Sequence, residues 1–201
     1  MDENIKDQMC QIMKDLYEEK ILTDIGGNLS FREADNNFLW ITPTEKQKNL
    51  VEPEDLIKMD FNGNILLDKN HKGPSVEAPM HSAIMQEDSH FKSIIHSHPP
   101  YATAYSLIAN PPKLPRLTAE LSILIPEIVI VPYTKSGTKE LGKLVATALQ
   151  ICGIAILENH GVVAVAENFQ RAAQKTRALE EYFRLYLITK RFGSKIRPFQ
   201  D

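Results

Sequence analysis

Helical and strand-like patterns alternate along the whole 201-residue chain, and this alternation limits the possible folds more than any other property. Residues 3–20 repeat apolar side chains at helical spacing, whereas residues 28–32 and 38–42 are short strand-like runs. No linker composition and no internal repeat interrupts the alternation. The sequence therefore predicts one α/β domain over residues 1–201, in which the strand ends carry the polar residues.

The rest of the chain continues the same alternation. Ser75 is the expected N-cap of a helix with Glu77 in its first turn. A proline-rich connection and short turns separate the later elements. The predicted turns lie at residues 35–37, 51–56 (helical) and 62–64. The predicted helices reach from Ser75 to about 86 and span 100–109, 137–150 and 168–190. The predicted strands lie at 57–61, 128–131, 153–157 and 162–166, with one more leading to His96 and His98.

Three histidines follow two of the predicted strands. His96 and His98 come after the apolar run 93–95, and residues two apart in a strand project from the same face. His160 follows the apolar run 153–157 and precedes a glycine. If the two strand ends meet, the three imidazoles form a metal site with an open position, as in catalytic zinc centres. A structural hydrogen bond is the alternative for each histidine, and metal-dependent chemistry is the first hypothesis.

Composition excludes several classes of partner. Hydrophobic residues make up 43% and charged residues 24% of the chain, as in ordinary globular proteins. The net charge of -3 and a pI near 6.1 argue against a nucleic-acid partner. No apolar stretch reaches the length of a membrane span, and the charged N-terminus is unlike a signal peptide, so no membrane partner is expected. Cys10 and Cys152 are too few for a disulfide framework and are expected to be buried thiols in a reducing cytoplasm.

Six short segments occur in a specific order: GGNLSFR, ITPT, PSVEAPMH, IIHSHPPYATA, VPYTKSGTKEL and LENHGVVAVA. Together they cover about residues 5–190 and resemble the class II aldolase/adducin family, which includes the fuculose- and rhamnulose-phosphate aldolases and the ribulose-phosphate 4-epimerase. The resemblance implies a three-layer α/β/α sandwich around a largely antiparallel sheet. It also implies a homotetramer with active sites at the subunit interfaces.

The resemblance further implies a zinc ion, held by the residues that align here with His96, His98 and His160, with Glu77 as a fourth ligand. Imidazole-rich sites also accept Co²⁺, Mn²⁺ or Fe²⁺. In such a cleavage the ion would polarise a ketose carbonyl and stabilise the enediolate formed when the C–C bond breaks. A carboxylate beside the metal could move protons. Glu77 is therefore expected to be the general acid/base, the alternative being a favourable charge at a helix N-terminus.

Three further histidines have simpler expected roles. His81 lies four residues after Glu77 and so on the same helix face. It either supports the metal site or makes an ordinary hydrogen bond. His71 and His90 lie in polar surroundings and are expected on the surface.

The resemblance also implies a binding site for the phosphate group of a substrate. The residues at matching positions are Gly27, Asn28, Thr42, Thr44 and Ser75. Small residues and free N–H groups at a turn suit an anion, although a tight turn alone would also explain the Gly26-Gly27 pair. Lys46 and Lys48 could add positive charge, but both are expected to be solvated.

The chain departs from the family pattern at positions that bear on the substrate. Glu45 replaces the usual glycine and places a carboxylate near the expected anion, and Val76 replaces a serine donor. The tyrosines that the family's aldolases use as proton donors have no counterpart, and Glu120 is either a substitute or a surface residue. Glu77 is Glu as in the aldolases, where epimerase-like members carry Asp, which favours C–C cleavage.

The leading hypothesis is a zinc-dependent aldolase. This lyase would cleave a small ketose phosphate or ketose into a dihydroxyacetone (phosphate)-type fragment and an aldehyde. The alternatives are a metal-dependent dehydratase, epimerase or decarboxylase of the same fold, or an adducin-like binding module without catalysis. Loss of the metal ligands would mark the binding module, and all four candidate ligands are present.

Overall fold

The computed structural model describes residues 3–33, 37–193 and 195–200, and within them eight strands form one sheet. The strands are β1 (Asn28–Arg32), β2 (Phe38–Ile41), β3 (Ile57–Asp60), β4 (Ile65–Leu67), β5 (Ser93–Ser97), β6 (Val129–Val131), β7 (Ile154–Leu157) and β8 (Gly161–Ala166). The helices are α1 (Glu3–Glu18), α2 (Ala78–Glu87), α3 (Pro100–Ser106), α4 (Ala119–Leu124), α5 (Lys139–Cys152) and α6 (Phe169–Arg191). Two single 3-10 turns lie at Lys48–Leu50 and Pro53–Asp55.

The strand order is β4-β3-β2-β1-β5-β8-β7-β6, and every neighbouring pair is antiparallel except β6 and β7. The largely antiparallel sheet that the resemblance implied is therefore confirmed. β5 and β8 lie in the middle of this order, and every residue of both strands is buried. Side chains at the ends of these two strands are thus held by pairing on both sides.

Helices cover both faces of the sheet. In β8, Val163 and Val165 pack into one apolar cluster with α2 and α5. The alternate residues Val162 and Ala164 pack into a second cluster with α3, α4 and α6, and α1 covers the same face further along. This alternation of side chains between two helical layers confirms the predicted three-layer α/β/α sandwich.

Local signals explain where the longer helices begin. The Thr138 hydroxyl accepts the N–H of Leu141 at the start of α5, and the Asn168 side chain accepts the N–H of Arg171 at the start of α6. None of the helices in the described residues is both long and apolar enough to cross a bilayer.

Some predicted boundaries were wrong. The helix expected from Ser75 begins at Ala78, because the Ser75 hydroxyl accepts the N–H of Glu77 in a turn that precedes α2. The helix expected over 100–109 ends at Ser106. Strand β4 and helix α4 were not predicted at all. The turn at 35–37 lies largely outside the described residues.

Candidate metal centre

The ends of β5 and β7 bring three imidazoles together at one edge of the sheet. His96 lies within β5 and is fully buried, His98 follows that strand, and His160 ends the turn between β7 and β8. One ring nitrogen from each lies within 4.8 Å of the others. The ring centroids are 4.7–5.6 Å apart. The two strand ends therefore deliver the three side chains to one place.

Two glycines make room for His98. A Cβ atom on Gly26 would lie 2.7 Å from His98 Nδ1, and one on Gly161 would lie 2.5 Å from His98 Cδ2. Real Cβ atoms do not approach other heavy atoms this closely, and the same Cβ atoms would lie 2.4 Å from Thr23 Oγ1 and the Ser97 carbonyl oxygen, so a larger residue would force the ring or these neighbours to shift. The glycine that follows His160 is therefore needed for the position of another histidine.

The Glu77 carboxylate faces this cluster from the start of α2. Its Oε2 lies 3.0 Å from His96 Nε2, and its Oε1 lies 3.3 Å from His160 Nε2. The Asn28 amide donates a 2.8 Å hydrogen bond to Oε2. Glu77 occupies the N-cap position, yet its side chain makes no capping hydrogen bond. The carboxylate thus serves the histidine cluster and not the helix terminus.

The hydrogen bonds around His96 show whether these residues suit a metal ion. His96 Nδ1 lies 3.0 Å from the Val162 carbonyl oxygen and must donate to it, which leaves Nε2 with a lone pair in the neutral ring. Neither His96 Nε2 nor Glu77 Oε1 has a hydrogen-bond partner, although both are buried. Around a tetrahedral ion with bonds of 2.0–2.1 Å, neighbouring ligand atoms are about 3.3 Å apart. The separations of Glu77 from His96 and His160, together with the unpaired atoms, therefore fit a cation between these side chains.

The protonation states also suit metal binding. Burial lowers the pKa of His98 to about 3, and the charges of His96 and His160 act in the same direction, so that ring is neutral at neutral pH. Burial alone would raise the pKa of Glu77. The electrostatic influence of nearby His96, the close contacts with His160 and His96, and the Asn28 hydrogen bond outweigh burial and hold this pKa well below its ordinary value. A neutral imidazole and an ionised carboxylate are the forms that bind metals.

His81 does not join the cluster. It is fully buried, and its ring nitrogens lie 2.6 Å from Ser30 Oγ and 2.6 Å from Asn28 Oδ1. Asn28 in turn contacts Glu77, so His81 makes ordinary hydrogen bonds that nonetheless lead to the site. His71 and His90 are exposed, as the sequence predicted.

The five candidate phosphate-binding residues differ in their exposure and in the hydrogen bonds that they already make. Gly27 has a positive φ of 92°. Thr42 is fully buried, and its hydroxyl accepts the N–H of Leu29. The Ser75 N–H donates a 3.1 Å hydrogen bond to the Thr42 carbonyl. The Ser75 hydroxyl accepts the N–H of Glu77, whose carboxylate is bonded to Asn28. Thr44 is partly exposed beyond them.

Lys48 was expected to be solvated, and the structure corrects this. It is only 2% exposed, and its backbone N–H donates a 3.1 Å hydrogen bond to the Asp24 carbonyl in the segment before β1. Its charge acts on both Glu77 and His98. No acidic side chain in the described part of the chain forms a salt bridge with it. A single lysine in a polar segment carries no sequence signal of burial.

The remaining departures from the family pattern lie on the surface. Glu45 is exposed and has a φ of 51°, the left-handed conformation that a glycine adopts without strain. Val76 is 72% exposed beside the buried Glu77. Glu120 is exposed in the first turn of α4.

The fold and the cluster define an α/β/α protein that can hold a metal ion through three histidines. The chain belongs to the class II aldolase family: a family model described as "Class II Aldolase and Adducin N-terminal domain" matches residues 7–187. The sequence is 36% identical over 173 residues to an L-fuculose phosphate aldolase of Methanococcus maripaludis, covering 86% of this chain and 91% of the relative.

Other relatives carry a different name. A 3-oxo-tetronate 4-phosphate decarboxylase of Haemophilus influenzae is 30% identical over 199 residues, or 98% of this chain and 92% of that protein. Among solved structures, an L-fuculose 1-phosphate aldolase superimposes with a TM-score of 0.86 at 28% identity, covering 98% of this chain and 91% of that one. The family membership that the six segments indicated is confirmed.

Proposed function

We propose that the protein is a zinc-dependent aldolase that cleaves a small ketose phosphate, or the free ketose, into a dihydroxyacetone (phosphate)-type fragment and an aldehyde. One observation carries the proposal: Glu77 lies 3.0 and 3.3 Å from two of three clustered imidazoles, with buried atoms that lack partners. The similarity to L-fuculose phosphate aldolases supports the reaction class.

His96, His98, His160 and Glu77 are the residues that would hold the ion. Zn²⁺ suits four nitrogen and oxygen ligands of this kind, and Co²⁺, Mn²⁺ or Fe²⁺ would also bind. When bound, the ion would supply a positive charge that polarises a substrate carbonyl. His96 is fixed for this purpose by its bond to the Val162 carbonyl, which leaves Nε2 directed at the site.

Glu77 is the proposed general acid/base. Asn28 holds Oε2, whereas Oε1 has no hydrogen-bond partner. One oxygen is therefore fixed and the other is free to accept a proton from the substrate and return it. The lowered pKa of Glu77 means that the residue begins the reaction as the base.

An acid group of the substrate would lie beside this carboxylate. The Thr42 and Ser75 hydroxyls each accept a backbone N–H, so each keeps its own proton for donation to an anion. Gly27, Asn28 and Thr44 stand on the neighbouring segments. We propose that Lys48 adds the positive charge, since it is buried, acts on Glu77 and His98, and has no salt-bridge partner in the described residues.

Decarboxylation of a phosphorylated 3-oxo acid is the second candidate. It is favoured by the 30% identity to the Haemophilus influenzae decarboxylase over 98% of this chain. Loss of CO₂ from such an acid and cleavage of a ketose both leave negative charge next to a carbonyl group. The same charge at the site would stabilise both.

The experiment is a metal measurement followed by a substrate screen. Purified protein is expected to bind one zinc per chain by mass spectrometry of the metal content. It is then supplied with L-fuculose 1-phosphate, other ketose 1-phosphates, their unphosphorylated ketoses and a 3-oxo-tetronate 4-phosphate. Release of an aldehyde supports the aldolase, and release of CO₂ from the last substrate alone supports the decarboxylase. Absence of a stoichiometric divalent ion would refute both.

We further propose a homotetramer in the cytoplasm. Ile25, Leu50 and Val76 are 69%, 54% and 72% exposed, and each lies within two residues of a candidate site residue in sequence, which supports a subunit interface beside the site. Cys10 and Cys152 are unpaired and partly buried, as suits a reducing compartment. Light scattering coupled to gel filtration measures the assembly, and a monomer at micromolar concentration would refute it.

A further inference from the structure

A chain of buried polar groups leads from β1 to the candidate catalytic carboxylate. Ser30 Oγ lies 2.6 Å from His81 Nδ1, His81 Nε2 lies 2.6 Å from Asn28 Oδ1, and Asn28 Nδ2 lies 2.8 Å from Glu77 Oε2. Ser30 and His81 are fully buried, and Asn28 and Glu77 are 4% and 6% exposed. These four side chains thus form one sequence of hydrogen bonds that water hardly reaches.

Strand and helix periodicity bring the four side chains into register. Asn28 and Ser30 are two residues apart on β1 and so point to one face of the sheet. Glu77 and His81 are four residues apart and so lie on one face of α2. Asn28 is also paired across the sheet with His96, so the pairing of β1 with β5 positions both this sequence of hydrogen bonds and the histidine cluster.

The direction of every bond follows from the carboxylate. An ionised Glu77 only accepts, so Asn28 must present its amide nitrogen to it and its oxygen to His81. His81 Nε2 must then carry the proton that it donates to Asn28. His81 is fully buried, where a neutral ring costs least, so Nδ1 carries no proton and accepts from the Ser30 hydroxyl across the 2.6 Å contact. Each of the three contacts along this path then joins one donor to one acceptor.

We infer that Ser30 and His81 are positioning residues that hold the Asn28 amide in the one orientation able to donate to Glu77. A reversed amide would bring its oxygen against Glu77 Oε2, and two acceptors at this separation repel each other. Held correctly, the carboxylate keeps one fixed oxygen and one free oxygen. The inference rests on the proposed role of Glu77, but the tautomer of His81 can be tested without any activity.

The first test is the tautomer of His81 in metal-free protein. Solid-state NMR of protein labelled with ¹⁵N-histidine separates protonated from unprotonated ring nitrogens, and the signals lost in His81→Gln assign the ring. The expected result is a neutral ring with the proton on Nε2. A proton on Nδ1, or on both nitrogens, would overturn the inference whatever the enzyme does.

The second test is kinetic and uses matched serine variants. Ser30→Ala removes the donor to His81, whereas Ser82→Ala removes a buried hydroxyl of α2 that has no hydrogen-bond partner. With the substrate found in the screen, Ser30→Ala is expected to lower kcat about 10-fold or more, with KM and zinc content within about twofold of the wild type. Ser82→Ala is expected to match the wild type. Equal kcat in the two variants, each shown to be folded by circular dichroism, would overturn the inference.

Rescue at position 81 separates orientation from packing. The Gln amide nitrogen reaches about as far as His Nε2 and can still donate to Asn28, whereas Leu has similar bulk and no donor. His81→Gln is expected to keep at least about a tenth of kcat, and His81→Leu to fall about 10–100-fold below it. Equal losses would refute a positioning role. If no tested substrate turns over, the proposed function fails, and the tautomer measurement still decides the orientation of Asn28.

Discussion

Replacing Lys48 by Met is expected to raise the free energy of unfolding of the protein and to lower its affinity for an acidic substrate. Burial lowers the pKa of Lys48 from its ordinary 10.5 to about 8, and the charge of Glu77 opposes this only in part. A difference of about 2.5 between these values, at about 1.36 kcal/mol per pKa unit, gives at most about 3 kcal/mol for holding the charged ammonium in the folded state. Met keeps the apolar stem and removes that charge.

The pH dependence has a definite sign. Below pH 8 the lysine is protonated in both the folded and the unfolded states, so the full penalty is present. Between about pH 8 and 10.5 the unfolded state binds more protons, so the free energy of unfolding of the wild type rises with pH. Lys48→Met is expected to lack this rise and to be the more stable protein at pH 7.

The assay is urea denaturation in phosphate-free buffer at one fixed protein concentration. Lys46→Met is the matched control, because Lys46 pairs with the nearly buried Asp55 and its loss is expected to destabilise the protein by about 1 kcal/mol. Isothermal titration with inorganic phosphate should show weaker binding only for Lys48→Met. A Lys48→Met protein less stable than the wild type at pH 7 would refute the reasoning.

Three further substitutions test individual features of the site. Glu77→Gln is expected to lower kcat at least about 1,000-fold in steady-state assays while zinc stays bound; near-normal turnover would remove the catalytic role. Gly161→Ala places a Cβ 2.5 Å from His98 Cδ2 and is expected to weaken zinc affinity more than about 10-fold in a chelator competition, whereas unchanged affinity would show that Gly161 does not position His98 for the metal. Glu45→Gly relieves a left-handed residue with a φ of 51° and should raise the free energy of unfolding by about 1 kcal/mol in urea titrations; a loss of stability would contradict this account.

The central layer of the fold was predictable because its strands are buried on both faces. Short continuous apolar runs such as 153–157 and 162–166, when they lie between helical patterns, are typical of strands buried on both faces. β4 escaped prediction because Ile65, Leu66 and Leu67 are all exposed on an edge strand and show no alternation. α4 has only six residues, too few to establish helical periodicity.

The site was predictable to a different extent. The positions of His96, His98 and His160 followed from strand ends, since strands project residues i and i+2 to one face. The burial of Lys48 and the bonds of Ser30 and His81 could not be predicted, because each depends on contacts between segments far apart in sequence. Asn28 and Glu77, for example, are 49 residues apart along the chain.

The location of His96 within β5 separates two tasks that evolution can change independently. The histidine lies between two paired strands of the central sheet, where a change of backbone would disturb the whole core. The segments that would meet the substrate, around Gly27 and residues 42–47, lie outside the strands, so exposed residues there, such as Glu45, can change without disturbing the strand pairing of the central sheet. If the proposed function holds, a lineage could exchange one substrate for another, or one bond cleavage for another, through changes in these segments while the candidate metal centre stays unchanged.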